Sequence, residues 1–249
     1  MINLKSAEEI KRMRDAALIA MAAMEKMLAA VEPGVSTAEL DDIAYRHIVG
    51  AGAKPSFKGY GGFPGTACIS VNDEIVHGIP GHRRLKEGDI VSFDTGAYLK
   101  GYHSDMARTV GVGKISEEAE MLIRVTKESF FKGVEQAVAG ARLNEIGKAV
   151  EKHARAYGLG VVTEFIGHGI GRDLHEDPAV PNYDTGRRGP VMRPGLVLAV
   201  EPMLTLGTHK VVIAPNEWTA STKDGSLSAH YENTIVITQD GPCDILTLA

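Results

Sequence analysis

The sequence predicts a mixed α/β (α+β) fold in which two halves repeat one order of elements about a pseudo-two-fold axis and share a sheet covered by helices. Three observations predict it. The order helix, helix, strands is written twice along the chain; nothing between residues 113 and 116, where the halves meet, resembles a flexible linker; and the 249 residues, 44% apolar and 24% charged, have ordinary globular composition. The halves share no residue-level identity, so the repeat is one of element order alone. We expect residues 1–249 to form a single domain, with a site at the junction drawing on both halves.

Each element has a local reason. Ser6 and Glu9 stand at capping-box spacing, and the Ala-, Ile-, Met- and Leu-rich run after them reads as a long helix until Pro33-Gly34 forbids continuation. Ser36 and Glu39 repeat the device and open a shorter helix, which Gly50 can end in a left-handed cap. Residues 57–65, rich in glycine and aromatics, read as a loop, and 66–71, 89–98 and 102–112 as strands. In the second half Ser116 begins a long helix ending near Gly140, Asn144 opens a shorter one ending near Gly158, and strand-like runs follow at 161–166, 196–200 and 231–238.

Composition removes several classes of function. Lys+Arg 27 against Asp+Glu 32 leaves a net charge of −5, so nucleic acid is not the default partner. Cys68 and Cys243 are the only cysteines and lie outside any CxxC or Cys/His cluster, which argues against a disulfide framework or a structural zinc site. Residues 1–6 carry no apolar signal core, and the apolar stretch 16–24 is about half a membrane span before Glu25 stops it. A soluble, cytoplasmic protein is expected. The first helix is basic at its start, with Lys5, Lys11, Arg12 and Arg14 forming either a solvated face or a contact for an anionic surface.

The chemistry-bearing residues fall in four places. Asp94 and Asp105 lie on two strand-like runs joined through 98–101. With the loop centred between Leu99 and Lys100 they pair directly, with Cβ atoms about 5 Å apart, an arrangement that is destabilising unless a cation or proton lies between them. A register one residue different would instead leave one aspartate as an exposed turn residue. His168 and His175 stand among the glycines of GHGIGRDLHEDP, which let backbone approach a ligand closely; a structural or surface role for the imidazoles stays open. A dinucleotide fingerprint is a poor reading of these glycines, because Pro178 and Pro181 interrupt any following helix. Glu201 and Glu232 are each set in an apolar strand-like run, where a carboxylate needs a partner or a metal unless the strand is at an edge. Four carboxylates bring −4 and two divalent ions bring +4, and oxygen-rich ligation with one imidazole suits manganese, iron, cobalt or zinc. Two ions about 3.5–4 Å apart are the machinery of metal-assisted hydrolysis.

With these pieces in hand the chain resembles the type I methionine aminopeptidases of the pita-bread metallohydrolase family. The resemblance rests on VNDEIVHGIP (71–80), DTGAYLKGYHSD (94–105), GHGIGRDLHEDP (167–178), VEPM (200–203) and WTASTKDGSLSAHYENT (218–234), in that order over nearly the whole chain. It implies the pita-bread fold, duplicated halves around a central, mostly antiparallel sheet. It also implies that Asp94 chelates one metal, that Asp105 and Glu232 bridge two, and that His168 and Glu201 hold the second. Glu201 would act as general base while hydroxide attacks the first peptide bond, His175 would stabilise the scissile amide or oxyanion, and His77 would contact substrate around the same bond. The implied methionine pocket takes Tyr60, Phe63, Cys68 and Trp218; Phe57 and Leu174 fall where members vary, and Met203 follows the VEP glutamate.

The implied substrate is the unblocked N-terminal methionine of nascent proteins whose second residue is small, with transient proximity to the ribosome, no nucleic-acid or membrane partner, and a monomeric enzyme. Relatives also hold a monovalent cation near the positions of Asn72 and Ser228. The chain lacks the cysteine-rich extension of many eukaryotic type I enzymes and the helical insertion of type II, which points to the bacterial-style cytosolic form. Proline-specific peptidases share the ligand set but carry an extra N-terminal domain for which 249 residues leave no room. A metal-free binding protein on this fold and a two-metal amidohydrolase on another are the competing classes.

Overall fold

The computed structural model describes residues 2–248, so the outermost residues of the expected 1–249 unit, Met1 and Ala249, lie outside it. Helix α1 (Ala7–Ala29) opens on the full Ser6/Glu9 capping box and α2 (Thr37–Gly50) on that of Ser36/Glu39. Helix α3 (Glu117–Val134) is capped by Ser116, whose side chain accepts from Ala119 N–H, and α4 (Asn144–Ala156) follows. The principal sheet has nine strands: β1 (Lys54–Pro55), β2 (Ala67–Val71), β3 (Ile90–Leu99), β4 (Tyr102–Gly111), β5 (Gly167–Gly169), β6 (Glu176–Val180), β7 (Val197–Val200), β8 (Glu232–Val236) and β9 (Asp244–Ile245). The spatial order is β1-β3-β4-β8-β7-β5-β6, with β2 also on β3 and β9 on β8; every pairing among the described residues is antiparallel.

Reading outward from the β4–β8 contact, β3 and β2 on one side answer β7 and β5 on the other. The axis of the duplication therefore runs between β4 and β8, where Ala107 faces Glu232 and Met106 faces Asn233. These duplicated halves around a central antiparallel sheet are the arrangement that the resemblance implies. Arg108 clamps the junction: its half-buried guanidinium donates to the carbonyls of Ala107 and Glu232, to Asn233 Oδ1 and to Thr247 O.

The pleat assigns the two faces. Val91, Phe93, Ala97 and Met106 share a core with Ala20, Met24 and Leu40 of α1 and α2, and Leu198, Val200 and Ile235 share one with Phe130 and Ile146 of α3 and α4. Alternate residues along the same strands, including Asp94, Asp105, Ala107, Ala199, Glu232 and Thr234, must point to the opposite face. The helices thus cover one face and leave the other for chemistry.

Several expectations are corrected. The β3–β4 hairpin turns on Lys100-Gly101, both in left-handed conformation (φ 49° and 89°), so Leu99 pairs with Tyr102. Asp94 therefore lies opposite Ala107 and Asp105 opposite Gly96; the aspartates are diagonal neighbours on the same face, and a shift of two residues preserves the face as a shift of one would not. Gly50 is the last helical residue of α2 and the left-handed position is Gly52, because the helix runs on to a cap at Ala51. Helix α3 ends at Val134, where Gln136 and Ala137 switch to bonds three residues back, well short of Gly140. The run 161–166 is no single strand: Gly160–Val161 pairs with Leu204–Thr205 of a small second sheet, and only Gly167–Gly169 joins the large one.

The glycines around His168 admit backbone, not ligand. A Cβ on Gly167 would lie 2.3 Å from Ala199 O, and one on Gly169 2.2 Å from Asp177 O. Gly167→Ala should therefore cost about 1–3 kcal/mol, lowering Tm by several degrees, whereas Gly50→Ala, with nothing within 4 Å of the new Cβ, should leave Tm unchanged or raise it. Thermal unfolding of the two variants side by side checks this.

Candidate metal centre and catalytic cavity

Five side chains reach one face of the sheet from five segments. Asp94 comes from β3, Asp105 from β4, Glu232 from β8, His168 from β5 opposite Ala199, and Glu201 from the residue after β7. Ala107 lies between Asp94 and Glu232, and Ala199 between His168 and Thr234. A single methyl group at each of these positions leaves the space between the larger side chains open. Asp105, His168 and Glu232 can each offer a ligand atom within 4.8 Å of the others, and so can Glu201, His230 and Glu232.

His168 Nδ1 lies 2.8 Å from Gly169 O. A carbonyl only accepts, so Nδ1 carries the proton and Nε2 is left with a lone pair, 3.6 Å from Glu201 Oε1 and 3.9 Å from Asp105 Oδ2. Burial lowers the pKa of His168 to about 4, and the neighbouring His175 ring adds to the effect, so the ring is neutral at neutral pH.

The carboxylates fit cations. Burial is the largest cause holding Asp94, Glu201 and Glu232 well above their ordinary range, and repulsion among the acids adds to it; burial likewise raises Asp105 to about 7. Asp94 Oδ1, Asp105 Oδ1 and Glu232 Oε1 are buried without a hydrogen-bond partner. Such atoms are costly to leave bare, and divalent ions satisfy both their lone pairs and their charge.

Above the acids opens a cavity of about 200 Å³. Its apolar wall is Phe57, Phe63, Cys68, Leu174 and Trp218, and its polar rim is His77, His175 and Tyr60. Phe63 meets Trp218 edge to face at 5.2 Å. The Cys68 thiol is buried and its pKa pushed up, so it serves as a small apolar wall rather than a nucleophile. His77 sits in left-handed backbone (φ 59°), a costly conformation for a side chain of this size. Its ring stands edge to face against Phe165 at 5.3 Å, its carbonyl accepts from Thr219 Oγ1, and burial lowers its pKa to about 4. His175 Nδ1 is 2.8 Å from the Tyr60 hydroxyl, and desolvation holds its pKa below the ordinary value.

All eleven residues singled out from the sequence line this one cavity. Phe57 and Leu174 line it too, while Met203 is buried in a small sheet opposite His230. Asn72 and Ser228 also meet, through Ser228 N–H and Asn72 O at 2.9 Å. His230 was missed. It is 1% exposed, and its Nε2 has no hydrogen-bond partner 3.8 Å from Glu232 Oε2 and 3.9 Å from Glu201 Oε2. Its position two residues before Glu232, on the same face, was the available signal. Lys5 is no part of a basic patch, being buried against Glu176, and Arg12 and Arg14 pair with Glu8 and Asp244.

Comparison with known proteins agrees with this geometry. The profile of metallopeptidase family M24 matches residues 11–239. The chain belongs to metallopeptidase family M24. It is 53% identical over 249 residues to a methionine aminopeptidase of Clostridium acetobutylicum, covering 100% of this chain and 99% of that one. The crystal structure of methionine aminopeptidase from Thermotoga maritima superposes with a TM-score of 0.97 at 40% identity, covering all of both chains. A prolidase from Pyrococcus horikoshii gives a TM-score of 0.77 at 27% identity, with 99% of this chain covering 63% of that one. M24 membership and the clustered acids and imidazoles make this a divalent-metal hydrolase. No helix among the described residues is long and apolar enough to cross a membrane.

The proton balance gives a test. Carboxyls whose folded pKa is raised above 3.8 or 4.5 take up protons on folding, so the metal-free protein keeps that stability at low pH and loses it as pH rises through the folded values, near 7 for Asp105. Divalent metal replaces those protons. Adding manganese or cobalt to metal-stripped protein should raise Tm, and by more at about pH 7.5 than at about pH 5.5, as differential scanning calorimetry would register.

Proposed function

We propose that this chain releases the N-terminal methionine of nascent proteins whose second residue is small, acting as a monomer in the cytoplasm with residues 1–249 as one catalytic unit. The observation that carries the reading is a floor of buried, unsatisfied carboxylates beneath a cavity of about 200 Å³ with apolar walls. The names and full-length identity of the relatives support it. An unbranched thioether suits such walls, since it packs against aromatic edges and needs no polar partner. The net charge of −5 gives no support to a nucleic-acid partner, and any proximity to the ribosome follows from the substrate.

In this reading two divalent ions would balance the four carboxylates: Asp94 would hold one, His168 with Glu201 the other, and Asp105 and Glu232 would serve both. Cobalt, manganese, iron or zinc suit the donor set, and a monovalent cation near Asn72 and Ser228 is a lesser part of the proposal. When bound, the divalent ions supply Lewis acidity, lowering the pKa of water and polarising a carbonyl. The protein's own groups do the rest. Glu201, its pKa raised by burial and by the Asp105 charge, is the carboxylate placed to take and return a proton. His77 and His175 stay neutral. With the Tyr60 hydroxyl donating to His175 Nδ1, the ring proton sits on Nε2, a donor for the carbonyl oxygen as it gains charge. The apolar wall excludes water beside the scissile bond and orients the methionine chain.

Metal-stripped protein supplied with manganese, iron or cobalt should release methionine from Met-Ala-Ser and spare Met-Leu-Ser. Glu201→Ala should lower kcat by about 10²–10⁴-fold. Failure of every metal to restore cleavage in folded protein would remove the aminopeptidase reading and favour a binding role for the same fold.

A further inference from the structure

Lys5 precedes α1, yet its ammonium is not part of the helix surface. Nζ donates to Glu176 Oε2 at 2.5 Å and to Asn3 O at 3.1 Å, and the two charged side chains are only 5% and 6% exposed. The other oxygen of Glu176 accepts the backbone N–H groups of Arg172 at 2.8 Å and Asp173 at 3.3 Å. One carboxylate therefore joins the N-terminal segment to the turn that leads into His175.

The fold makes room for this link. A Cβ on Gly171 would lie 2.4 Å from Lys5 Cε and 2.6 Å from Glu176 Oε1, and one on Gly195, in left-handed backbone, 2.5 Å from Lys5 O. Lys5 N–H donates to Gly195 O at 2.7 Å. Lys5 is thus held at both ends, its backbone by the segment entering β7 and its ammonium by the turn before His175. That turn is also tied by His103 N–H to Gly171 O and Ile170 N–H to Val197 O and by Leu174, buried beside Ile170, while the Arg172 guanidinium, whose side chain is 71% exposed, pairs with Glu9. An exposed pair is a weak restraint; a buried one with its donors and acceptors filled is a stiff one.

We propose that Lys5, acting through Glu176, is a positioning residue for His175. It sets where that imidazole stands against the His168 ring, 4.2 Å away between centroids, and against the Tyr60 hydroxyl. The proposal rests on the reading of His175 as a donor to the substrate carbonyl. Replacing the ammonium by a thioether of similar length removes the charge and leaves Glu176 buried with no counter-ion. The turn then moves to let water reach the carboxylate, and His175 moves with it. Stability alone gives little reason to keep the pair, because a buried ion pair contributes no more than a well-packed apolar one.

The test uses the full chain as wild type, Lys5→Met, Glu176→Gln and the double variant, each loaded with the same divalent metal. Glu176→Gln keeps an oxygen for the two N–H groups and serves if Lys5→Met folds poorly. Expected for each single variant is a fall in kcat for Met-Ala-Ser on the order of 10- to 100-fold, the scale of misplacing a catalytic group by about 1 Å. KM and calorimetric metal affinity should stay within about twofold, and the double variant should be no worse than the worse single one, since both act through one link. The ¹⁵N shifts of the His175 ring in zinc-loaded protein should move in both singles. A kcat within about twofold of wild type in folded, metal-loaded Lys5→Met and Glu176→Gln overturns the proposal even if Tm drops, because the pair then serves the fold alone. A kcat loss matched by an equal loss of metal affinity, with unmoved His175 shifts, overturns it too. If wild type itself releases no methionine, the functional reading has failed, and the His175 shifts still decide whether Lys5 positions the ring.

Discussion

Four carboxylates converge under cover on one face of one sheet, and the architecture around them is organised by that repulsion. Asp94, Asp105, Glu201 and Glu232 are each raised in pKa chiefly by burial, and three of their oxygens have no hydrogen-bond partner. Without a counter-charge such a cluster must hold protons or open to water. The surrounding imidazoles supply no charge: half-buried His77 and buried His168 and His230 are neutral, with pKa values lowered to about 4, 4 and 3. Arg108 is close to Glu232 but spends its donors on carbonyls and on Asn233. A divalent cation is the counter-charge that the donor set suits.

The duplicated fold delivers that cluster economically. Strand pairing carries side-chain parity from β3 through β4, β8 and β7 to β5, so five residues far apart in sequence emerge on the same face once the registers are set. Alanine at 107 and 199 keeps the space between them clear, and glycine at 167 and 169 lets the strand bearing His168 approach its neighbours closely. The helices pack on the opposite face and take no part in ligation. Precision at the catalytic face is thus a property of the ladder, stiffened at its centre by Arg108.

The cavity rim is built differently. His77, His175 and Tyr60 lie outside the strands, and His77 and His175 stand next to strand ends; each has a local restraint besides: left-handed backbone and Thr219 at His77, Tyr60 at His175, and the buried Lys5–Glu176 pair behind the turn that carries His175. Rim groups face the open cavity. Holding them from behind reconciles access with order.

Much of this was legible in the sequence because it is written in local rules. Capping boxes at Ser6/Glu9 and Ser36/Glu39, the single glutamates set in apolar runs at Glu201 and Glu232, and the order of the motifs were enough for the fold class, the cavity residues and the family. Other features depended on partners distant along the chain. The hairpin register turned on the left-handed pair Lys100-Gly101, and the run 161–166 split because its ends pair with different sheets. The glycines near His168 proved to make room for Ala199 and Asp177 rather than for a ligand. Lys5 looked like one more charge on a basic helix start until the fold buried it against Glu176, and His230, which no sequence reading singled out, faces two glutamates. The sequence by itself determined which side chains are chemically able to build such a site, since residue type and spacing are local. Only the tertiary structure decided which of them meet and what stands behind them, because burial and partnership arise when distant segments pack.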